Sequence, residues 1–318
     1  MSKKWIIVAA SLILVGCIIF GGFMTALKWD FSKLSTAKYE SNQYDITAAF
    51  KDITIITETS DIEFKYSEDK SVKVICYESA KIRHTVGVMD NVLSIKYNDT
   101  RKWYDYISLN FKMPKITIYL PKGEYGVLSV KSSTGDIEIP SGYNFESINI
   151  SQSTGDISCD ASARGDIKFK TTTGDIEVKN ATIGSLSLAV LTGDIEVSDV
   201  EAAGDITIDV TTGEVDIVNT RCNDVISSGS TGDITLKSVV ADETINIKRS
   251  TGDIKFDDCD ASELIIETST GDVSGTLLSD KVFITKTDTG SVKVPESVNG
   301  GKCKITTDTG NIKIEVKK

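Results

Sequence analysis

Acidic side chains recur in this sequence at a spacing that could assemble them into one continuous row of carboxylates. Each directly follows a glycine, and the series is Asp136, Asp156, Asp175, Asp194, Glu214, Asp233, Asp253 and Asp272. If their coils stack about 4.8 Å apart, as strands do, neighbouring carboxylates repel by about 0.9 kcal/mol even in water. Either each carboxylate caps its own turn, or the row binds Ca²⁺, which takes carboxylate oxygens. Ser291 and Asn311 interrupt the series, which favours capping.

The densest aromatic cluster lies at residues 101–106, with the sequence RKWYDY. Aromatic rings with basic neighbours are typical of loops that stack on sugar rings or meet lipid headgroups. We therefore predict Trp103, Tyr104 and Tyr106 as candidate partner contacts. The alternative is a hairpin that packs over the end of the fold, because large aromatic side chains are mostly buried.

Catalytic and metal-binding constellations are hard to build from the other residues. His84 is the only histidine, and no motif supports a nucleophile–base pair or a metal triad around it. No repeat unit carries an extra cluster of charged residues of the catalytic kind. We therefore predict no catalytic, cofactor-binding or metal-binding residues, no cofactor and no enzymatic activity.

The cysteines give no metal motif either. There are six, namely Cys17, Cys76, Cys159, Cys222, Cys259 and Cys303. None falls in a CxxC or Cys/His metal spacing. Cys17 lies in an apolar N-terminal run, and the other five cannot all pair with one another. We expect buried free thiols that behave as small apolar side chains; one or two disulfides are the alternative in an oxidising compartment.

The elements that position these residues come from an internal repeat. A Thr-Gly-Asp-Ile motif recurs ten times with small variations, at intervals of 19 or 20 residues, and its glycines are Gly135, Gly155, Gly174, Gly193, Gly213, Gly232, Gly252, Gly271, Gly290 and Gly310. A period this constant is the signature of a solenoid. Apolar and polar residues alternate on both sides of each glycine, as in strands with one buried face.

We therefore predict an all-β fold: a parallel β-solenoid of about ten 19–20-residue coils over residues 128–318, preceded by a β-rich cap over residues 44–127. The motif echoes at Gly165 and Gly204, half-way between main glycines, which predicts two half-turns per coil. Ser227, Gly275 and Thr285 fall at positions that should face inward. Since these residues bury little apolar surface, we expect their coils to be the weakest.

The N-terminus predicts a membrane segment. Residues 5–27 carry no charge and are long enough to cross a bilayer as a helix. Lys3 and Lys4 precede this run, so we expect residues 1–4 in the cytoplasm, residues 28–43 as a juxtamembrane linker, and the remainder outside the cell. Two alternatives remain open: a cleaved signal peptide, or a lipoprotein signal whose lipidated residue is Cys17.

Net charge narrows the list of partners. The chain carries a formal charge of −11 at pH 7, whereas nucleic-acid binding requires a basic surface. The same charge opposes adsorption of the body of the protein to anionic lipid. We therefore predict no nucleic-acid partner.

Three stretches together resemble a known family. They are KITIYLP at residues 115–121, LSVKSSTGDIEI at residues 128–139, and the ladder of Thr-Gly-Asp-Ile turns that follows. This pattern is similar to the DUF4097 family, which carries the label "putative adhesin" and resembles β-strand-repeat proteins found with bacterial envelope-stress operons. The resemblance covers about residues 50–318 and implies an exported, membrane-linked, non-enzymatic β-solenoid.

These observations favour a membrane-anchored, adhesin-like interaction or scaffolding module of the bacterial cell envelope. Its expected partners are the bacterial membrane, through the N-terminal helix, and an envelope protein or wall polymer. An accessory role in envelope-stress sensing is the first alternative. A carbohydrate-active β-helix enzyme is a second, less favoured one, because the many acids of this chain belong to the repeat itself.

Overall fold

The computed structural model describes residues 3–30, 39–103 and 113–317. It begins with one helix, α1 (Lys3–Ala26). Along this helix most apolar side chains are exposed, Trp5 and Leu12 among them, whereas Met24 is buried. At 1.5 Å per residue its 24 residues extend about 36 Å, which exceeds the thickness of a bilayer's hydrocarbon core. The helix is therefore long and apolar enough to span a membrane.

Thirty strands lie within the described residues. The first seven are β1 (Tyr39–Ile46), β2 (Asp52–Ile56), β3 (Asp61–Tyr66), β4 (Val72–Ser79), β5 (Ile82–Met89), β6 (Val92–Asp99) and β7 (Lys115–Leu120). The repeats follow as β8 (Gly123–Lys131), β9 (Ile137–Ile139), β10 (Tyr143–Ser151), β11 (Ile157–Cys159), β12 (Ser162–Ala163), β13 (Ile167–Thr173), β14 (Ile176–Lys179), β15 (Thr182–Ile183), β16 (Leu186–Thr192), β17 (Ile195–Ser198), β18 (Glu201–Ala202), β19 (Ile206–Thr212), β20 (Val215–Cys222), β21 (Val225–Thr231), β22 (Ile234–Ala241), β23 (Thr244–Thr251), β24 (Ile254–Cys259), β25 (Glu263–Thr270) and β26 (Val273–Leu277). The last four are β27 (Lys281–Thr289), β28 (Val292–Lys293), β29 (Gly301–Thr309) and β30 (Ile312–Val316).

The strands stack as a parallel β-solenoid of about ten turns, which confirms the predicted fold class. We call the strand before each Thr-Gly turn ladder A and the strand after it ladder B. Ladder A runs through β8, β10, β13, β16, β19, β21, β23 and β25. Ladder B runs through β9, β11, β14 and β17, then through β20, β22, β24 and β26. Each rung lies in register on the next, so that like residues form columns.

Each coil has three sides rather than the two half-turns that the echo motif predicts. The third, ladder C, is short and consists of β12, β15, β18 and the second halves of β20 and β22. The additional corner between ladders B and C is a column of left-handed residues, Asn180, Asp199, Asn219, Ser238 and Asp258, with φ between 49° and 56°. Asn and Asp tolerate this conformation better than other non-glycine residues, which is why they recur there.

The Thr-Gly corner depends on glycine for two reasons. Gly155 has a φ of +126° and Gly174 has a φ of +130°, a region that L-residues avoid. In addition, a Cβ on either residue would clash with the backbone carbonyl oxygen of the corner glycine one rung before it. The regular spacing of these glycines therefore follows from close stacking of the corners.

At the C-terminal end the rungs do not follow chain order. The strand β29 lies between β25 and β27, and β30 lies between β26 and β28. The last coil of the chain is thus inserted beneath the one before it. The connection over residues 294–300 gives the chain the length to step back by one rung.

At the N-terminal end, residues predicted as a cap also form rungs. The strands β2 and β3 lie on β8 and β9, and β6 and β7 form a further rung on their other side. The stack then changes direction, because β5 pairs with β6 and β4 pairs with both β1 and β7 in antiparallel fashion. Antiparallel strands therefore terminate both ladders at this end.

The core consists of the inward columns of these ladders. Ile148, Ile167 and Leu186 lie in one column and are each no more than 1% exposed. Of the three positions that we expect to weaken their coils, Ser227 is buried with an unpartnered hydroxyl. Gly275 has a φ of +139° and no room for a Cβ against the backbone of Phe256, whereas Thr285 lies on the outermost rung. That their coils are the weakest stays a prediction.

Candidate functional site

The acidic row is a hydrogen-bonded ladder between rungs. The Oδ1 atom of Asp136 accepts a hydrogen bond from the backbone N–H of Asp156 at 3.0 Å, and Oδ1 of Asp156 accepts one from the backbone N–H of Asp175 at 2.8 Å. The same bond recurs up the stack as far as Asn311, whose N–H is accepted by Asp272 at 2.6 Å. Each aspartate of the row therefore caps the rung that stacks on it, rather than its own turn as the sequence led us to expect.

These hydrogen bonds favour capping over Ca²⁺ binding as the role of the acidic row. A carboxylate that accepts a backbone N–H has its charge stabilised without a cation. Asn311 fits the same position with a neutral amide, as capping requires. Among the described residues no such bond joins Glu214 to the N–H of Asp233, although Glu214 itself donates its own N–H to Asp194 at 2.7 Å. Glu214, whose side chain is longer than that of aspartate, is therefore the one residue of the acidic series that does not cap the next rung.

The outward face of ladder A, which we call the hydroxyl face, is a regular surface that extends along the solenoid. Its edge is a continuous column of threonines paired rung to rung: Thr59, Thr134, Thr154, Thr173, Thr192, Thr212, Thr231, Thr251, Thr270, Thr309 and Thr289. A parallel column one residue earlier in the chain is also exposed, and it contains Ser153, Thr172, Thr211 and Ser230. Exposed apolar side chains, Leu191 and Ile226, interrupt the hydroxyls.

The aromatic segment is described only in part. Trp103 is 79% exposed, so its ring is accessible to a partner. Tyr104 and Tyr106 lie outside the described residues. The neighbouring Arg101 is anchored to the body of the protein, because its guanidinium donates to Asp99 and to Glu58 at 2.7 Å each. The predicted partner contact at these three aromatics stays a prediction.

A buried polar cluster lies inside the N-terminal end of the solenoid, and we call it the Cys-Glu-His cluster. It consists of Cys76 and Glu78 on β4 and His84 on β5, which are 0%, 1% and 4% exposed. The Nδ1 atom of His84 lies 2.7 Å from Oε2 of Glu78, and the backbone N–H of His84 donates to the same oxygen. The ligand atoms of the three side chains all lie within 4.8 Å of one another.

Sequence reasoning missed this cluster although a weak signal was present. Cys76 and Glu78 are two residues apart on a strand and therefore face the same side, and that side is the apolar one. A glutamate in an inward position requires a partner, because a buried charge is costly unless it is paired. The partner, His84, arrives from the next strand, and no local motif predicts that contact.

All six cysteines are unpaired. Burial raises the pKa of the Cys159, Cys222 and Cys303 thiols to about 12, so these three are neutral and act as apolar filling. Cys17 lies exposed on the helix. The expectation of buried free thiols therefore fits the structure for the residues of the solenoid.

Two stretches of the chain, residues 50–223 and 201–318, match the sequence profile of the Toastrack DUF4097 family. The chain belongs to this family. The match covers nearly all of the solenoid, so the predicted resemblance is confirmed.

Three solved structures of bacterial proteins are similar to this chain. A "putative adhesin" from Parabacteroides distasonis ATCC 8503 is 10% identical, with a TM-score of 0.51, over 88% of this chain and 98% of that one. A "putative lipid binding protein" from the same organism is 17% identical, with a TM-score of 0.49, over 88% and 98%. A "putative adhesin" from Bacteroides fragilis NCTC 9343 is 20% identical, with a TM-score of 0.44, over 87% and 97%. No curated protein matches the chain.

One further buried charge lies inside the repeats of this Toastrack protein. Arg249 is only 2% exposed and donates from Nη1 to the carbonyl oxygen of Val210 at 2.9 Å. Its Nε and Nη2 atoms have no partner among the described residues. The side chain occupies the space left by Gly229 on the rung below. Burial lowers the pKa of Arg249, and the nearby Asp209 charge partly opposes this.

Proposed function

We propose that this Toastrack protein is a membrane-anchored, exported and non-catalytic binding or scaffolding module of the cell envelope, and that the hydroxyl face is its contact surface. The observation that carries the proposal is the threonine column, which repeats one exposed hydroxyl per rung along the stack. The names given to the structurally similar proteins, adhesin among them, are compatible with such a role.

Anchoring is supported by the helix. Its 22-residue apolar span, Trp5–Ala26, contains an 18-residue window with a mean hydropathy of 2.7, none of which is buried within the protein. Exposed apolar side chains over this length are unfavourable in water and favourable in lipid. With Lys3 and Lys4 before the helix, the proposed orientation places the solenoid outside the cell.

The hydroxyl face is suited to an extended polar polymer. Hydroxyl groups both donate and accept hydrogen bonds, and here they recur at the spacing of the rungs, about 4.8 Å. A polymer that lies along the column meets many equivalent sites, each weak. Linked weak contacts gain affinity because every contact after the first is intramolecular. Leu191 and Ile226 add apolar patches on which sugar rings can pack.

The test compares two faces of the same rod. Binding of the full chain in detergent to insoluble cell-wall glycan is measured by co-sedimentation. We expect Thr192→Glu/Thr212→Glu/Thr231→Glu on the hydroxyl face to reduce binding at least tenfold. The matched control, Val218→Glu/Thr235→Glu/Ser274→Glu on ladder B, adds the same charge and should bind like the native protein. Equal loss in both variants, or no loss in either, contradicts the proposal.

The alternative role in envelope-stress sensing is separated from this one by the identity of the partner. A photo-crosslinking residue at Leu191 should capture wall polymer if the hydroxyl face is the contact surface. Capture of an integral membrane sensor instead, abolished by the same three glutamates, would favour the sensing role. Turnover of wall glycans by the purified chain would support the enzyme alternative and overturn both.

A further inference from the structure

The Cys-Glu-His cluster has the composition of a metal site and not of an apolar core. Thiolate, imidazole and carboxylate are the three donor types that bind Zn²⁺ in proteins. Here one of each converges inside the N-terminal end of the solenoid, and all three side chains are almost completely buried. We propose that Cys76, Glu78 and His84 bind one Zn²⁺ ion, which joins β4 to β5.

The distances fit this assignment with a small adjustment. Two ligands at 2.0–2.3 Å from a tetrahedral zinc lie about 3.5 Å apart, and the three donor atoms already lie within 4.8 Å of one another. The closest pair, His84 Nδ1 and Glu78 Oε2, is 2.7 Å apart. This pair must separate by about 0.8 Å to admit the metal.

A second layer of hydrogen bonds orients the ligands. The Oγ1 atom of Thr57 lies 3.0 Å from Nε2 of His84, and Asn42 donates from Nδ2 to Oε1 of Glu78 at 2.7 Å. The hydroxyl of Tyr44 donates to the carbonyl oxygen of His84 at 2.9 Å. Metal-binding histidines almost always donate their second ring N–H to such a partner, which fixes the tautomer that presents the other nitrogen to the metal. Thr57 can accept that proton when Nδ1 binds zinc.

The charges balance with a divalent cation in place. Binding of Zn²⁺ displaces the thiol proton to solvent and leaves one thiolate, one carboxylate and one neutral imidazole around a 2+ ion, so the site is neutral overall. The three protein ligands leave one coordination position for a solvent molecule.

Cys76 is the only buried cysteine with these neighbours, which provides an internal control. Cys159 is equally buried, at 0% exposure, but it lies within the repeat, and its thiol is directed to the carbonyl oxygen of Ala161 at 3.9 Å. The chain has a single histidine, so no second site of this composition exists in it. Cys159→Ser therefore removes a buried thiol without touching the proposed site.

The experiment loads the full chain with Co²⁺ and then displaces it with Zn²⁺ in detergent. We expect one equivalent of metal, a thiolate-to-cobalt charge-transfer absorption, and protection of Cys76 from alkylation. Cys76→Ser should abolish the absorption and Cys159→Ser should retain it. Thr57→Val should weaken binding about 10–100-fold. Wild-type protein that binds no metal, or that keeps the charge-transfer band in Cys76→Ser, overturns the proposal.

A variant that fails to fold does not leave the proposal undecided. The native protein alone provides a second measurement, because the alkylation of Cys76 can be followed by mass spectrometry with and without metal under partial denaturation. Slower alkylation of Cys76, and not of Cys159, in the presence of Zn²⁺ supports the site. Identical rates at both cysteines with and without Zn²⁺ contradict it.

Discussion

Each end of the solenoid has a last rung whose outer strand edges must be covered or left exposed, and the two ends differ in this respect. At the N-terminal end, antiparallel strands cover the last parallel rung, and a histidine–carboxylate pair is buried beneath them. At the C-terminal end, the parallel rungs stop at β27 and β28, and no described strand pairs with their outer edges. There Ile284 and Val292 are 51% and 44% exposed. The N-terminal end is therefore closed by antiparallel strands. At the C-terminal end, the last coil of the chain is inserted before the preceding one, and the outer edges of β27 and β28 stay open.

The stability of a rung in this repeat protein depends on how many rungs adjoin it. Each rung is held mainly by its two neighbours, so an interior rung has twice the contacts of a terminal one. The C-terminal coil gains that advantage by insertion, because β29 and β30 each have partners on both sides. The exposed edge is thereby transferred to β27 and β28, whose outward residues include Lys286 and Asp288, charges of the kind that discourage edge pairing.

The largest effect is expected from removing the inserted rung. Deletion of residues 301–318 takes away Cys303, Ile305, Ile312 and Ile314, all buried, with about 6–12 kcal/mol of apolar burial. It also leaves β27 and β28 without partners. We expect hydrogen exchange to show loss of protection throughout residues 281–293.

Deletion of residues 281–300 is the matched control. It removes only the outermost rung and connects Asp280 directly to Gly301, which already lies one rung away. In this variant β25 and β26 should stay protected. If both deletions have the same effect, the inserted order of the rungs is wrong.

The next effect compares one buried polar pair at each end. His84→Leu removes the imidazole beside the almost fully buried Glu78, which keeps only a backbone N–H and Asn42 as partners. Loss of one partner of a buried charge costs about 3–5 kcal/mol. Lys281→Met breaks the 2.6 Å contact with Asp260. Asp260 is one quarter exposed and keeps bonds from Ser279 and the N–H of Ala261, so we expect about 1 kcal/mol. Chemical denaturation of both variants measures the two costs, and equal values would remove this distinction between the ends.

The exposed edge predicts self-association at one end only. Ile284→Lys places a charge on β27, which should reduce concentration-dependent association of the detergent-solubilised chain about two- to threefold, since edge charges oppose strand pairing. Met89→Lys on β5, at a residue that is also exposed, provides the comparison at the closed end and should leave association unchanged. Analytical ultracentrifugation separates the two results, and a larger effect from Met89→Lys would reverse the assignment.

The smallest effect lies between the two ends, in the acidic ladder. Glu214→Asp should allow the carboxylate to accept the N–H of Asp233, and one such bond contributes about 0.5–1.5 kcal/mol. Asp175→Glu, at a regular step, should lose a similar amount. Millimolar Ca²⁺ should leave the Tm of both variants unchanged, because the carboxylates are already bonded. A rise in Tm with Ca²⁺ would favour the metal alternative for the row.

The repeated features of the fold can be predicted from the sequence, whereas the features that lack an apolar pattern or occur only once cannot. The alternation around each glycine was sufficient to predict the columns of ladders A and B. The third side escaped because Asn180 and Asp199 carry no apolar pattern, and only their left-handed conformation creates the corner. The order of the last rungs escaped as well, because Ile312 fits equally well on Val273 or on Val292 and nothing local distinguishes them. His84 meets Glu78 only through the fold.

The order of the rungs is the claim on which the account depends most, and disulfide formation tests it directly. With Cys17 replaced by Ser, Ile265→Cys/Lys304→Cys joins positions in register on adjacent rungs, about 4.8 Å apart and within the reach of a disulfide. Ile284→Cys/Lys304→Cys is also adjacent and serves as the positive control. Ile265→Cys/Ile284→Cys lies two rungs apart, about 10 Å. We predict that oxidation of the full chain closes the first two pairs and not the third; closure of the third pair and not the first would contradict the account.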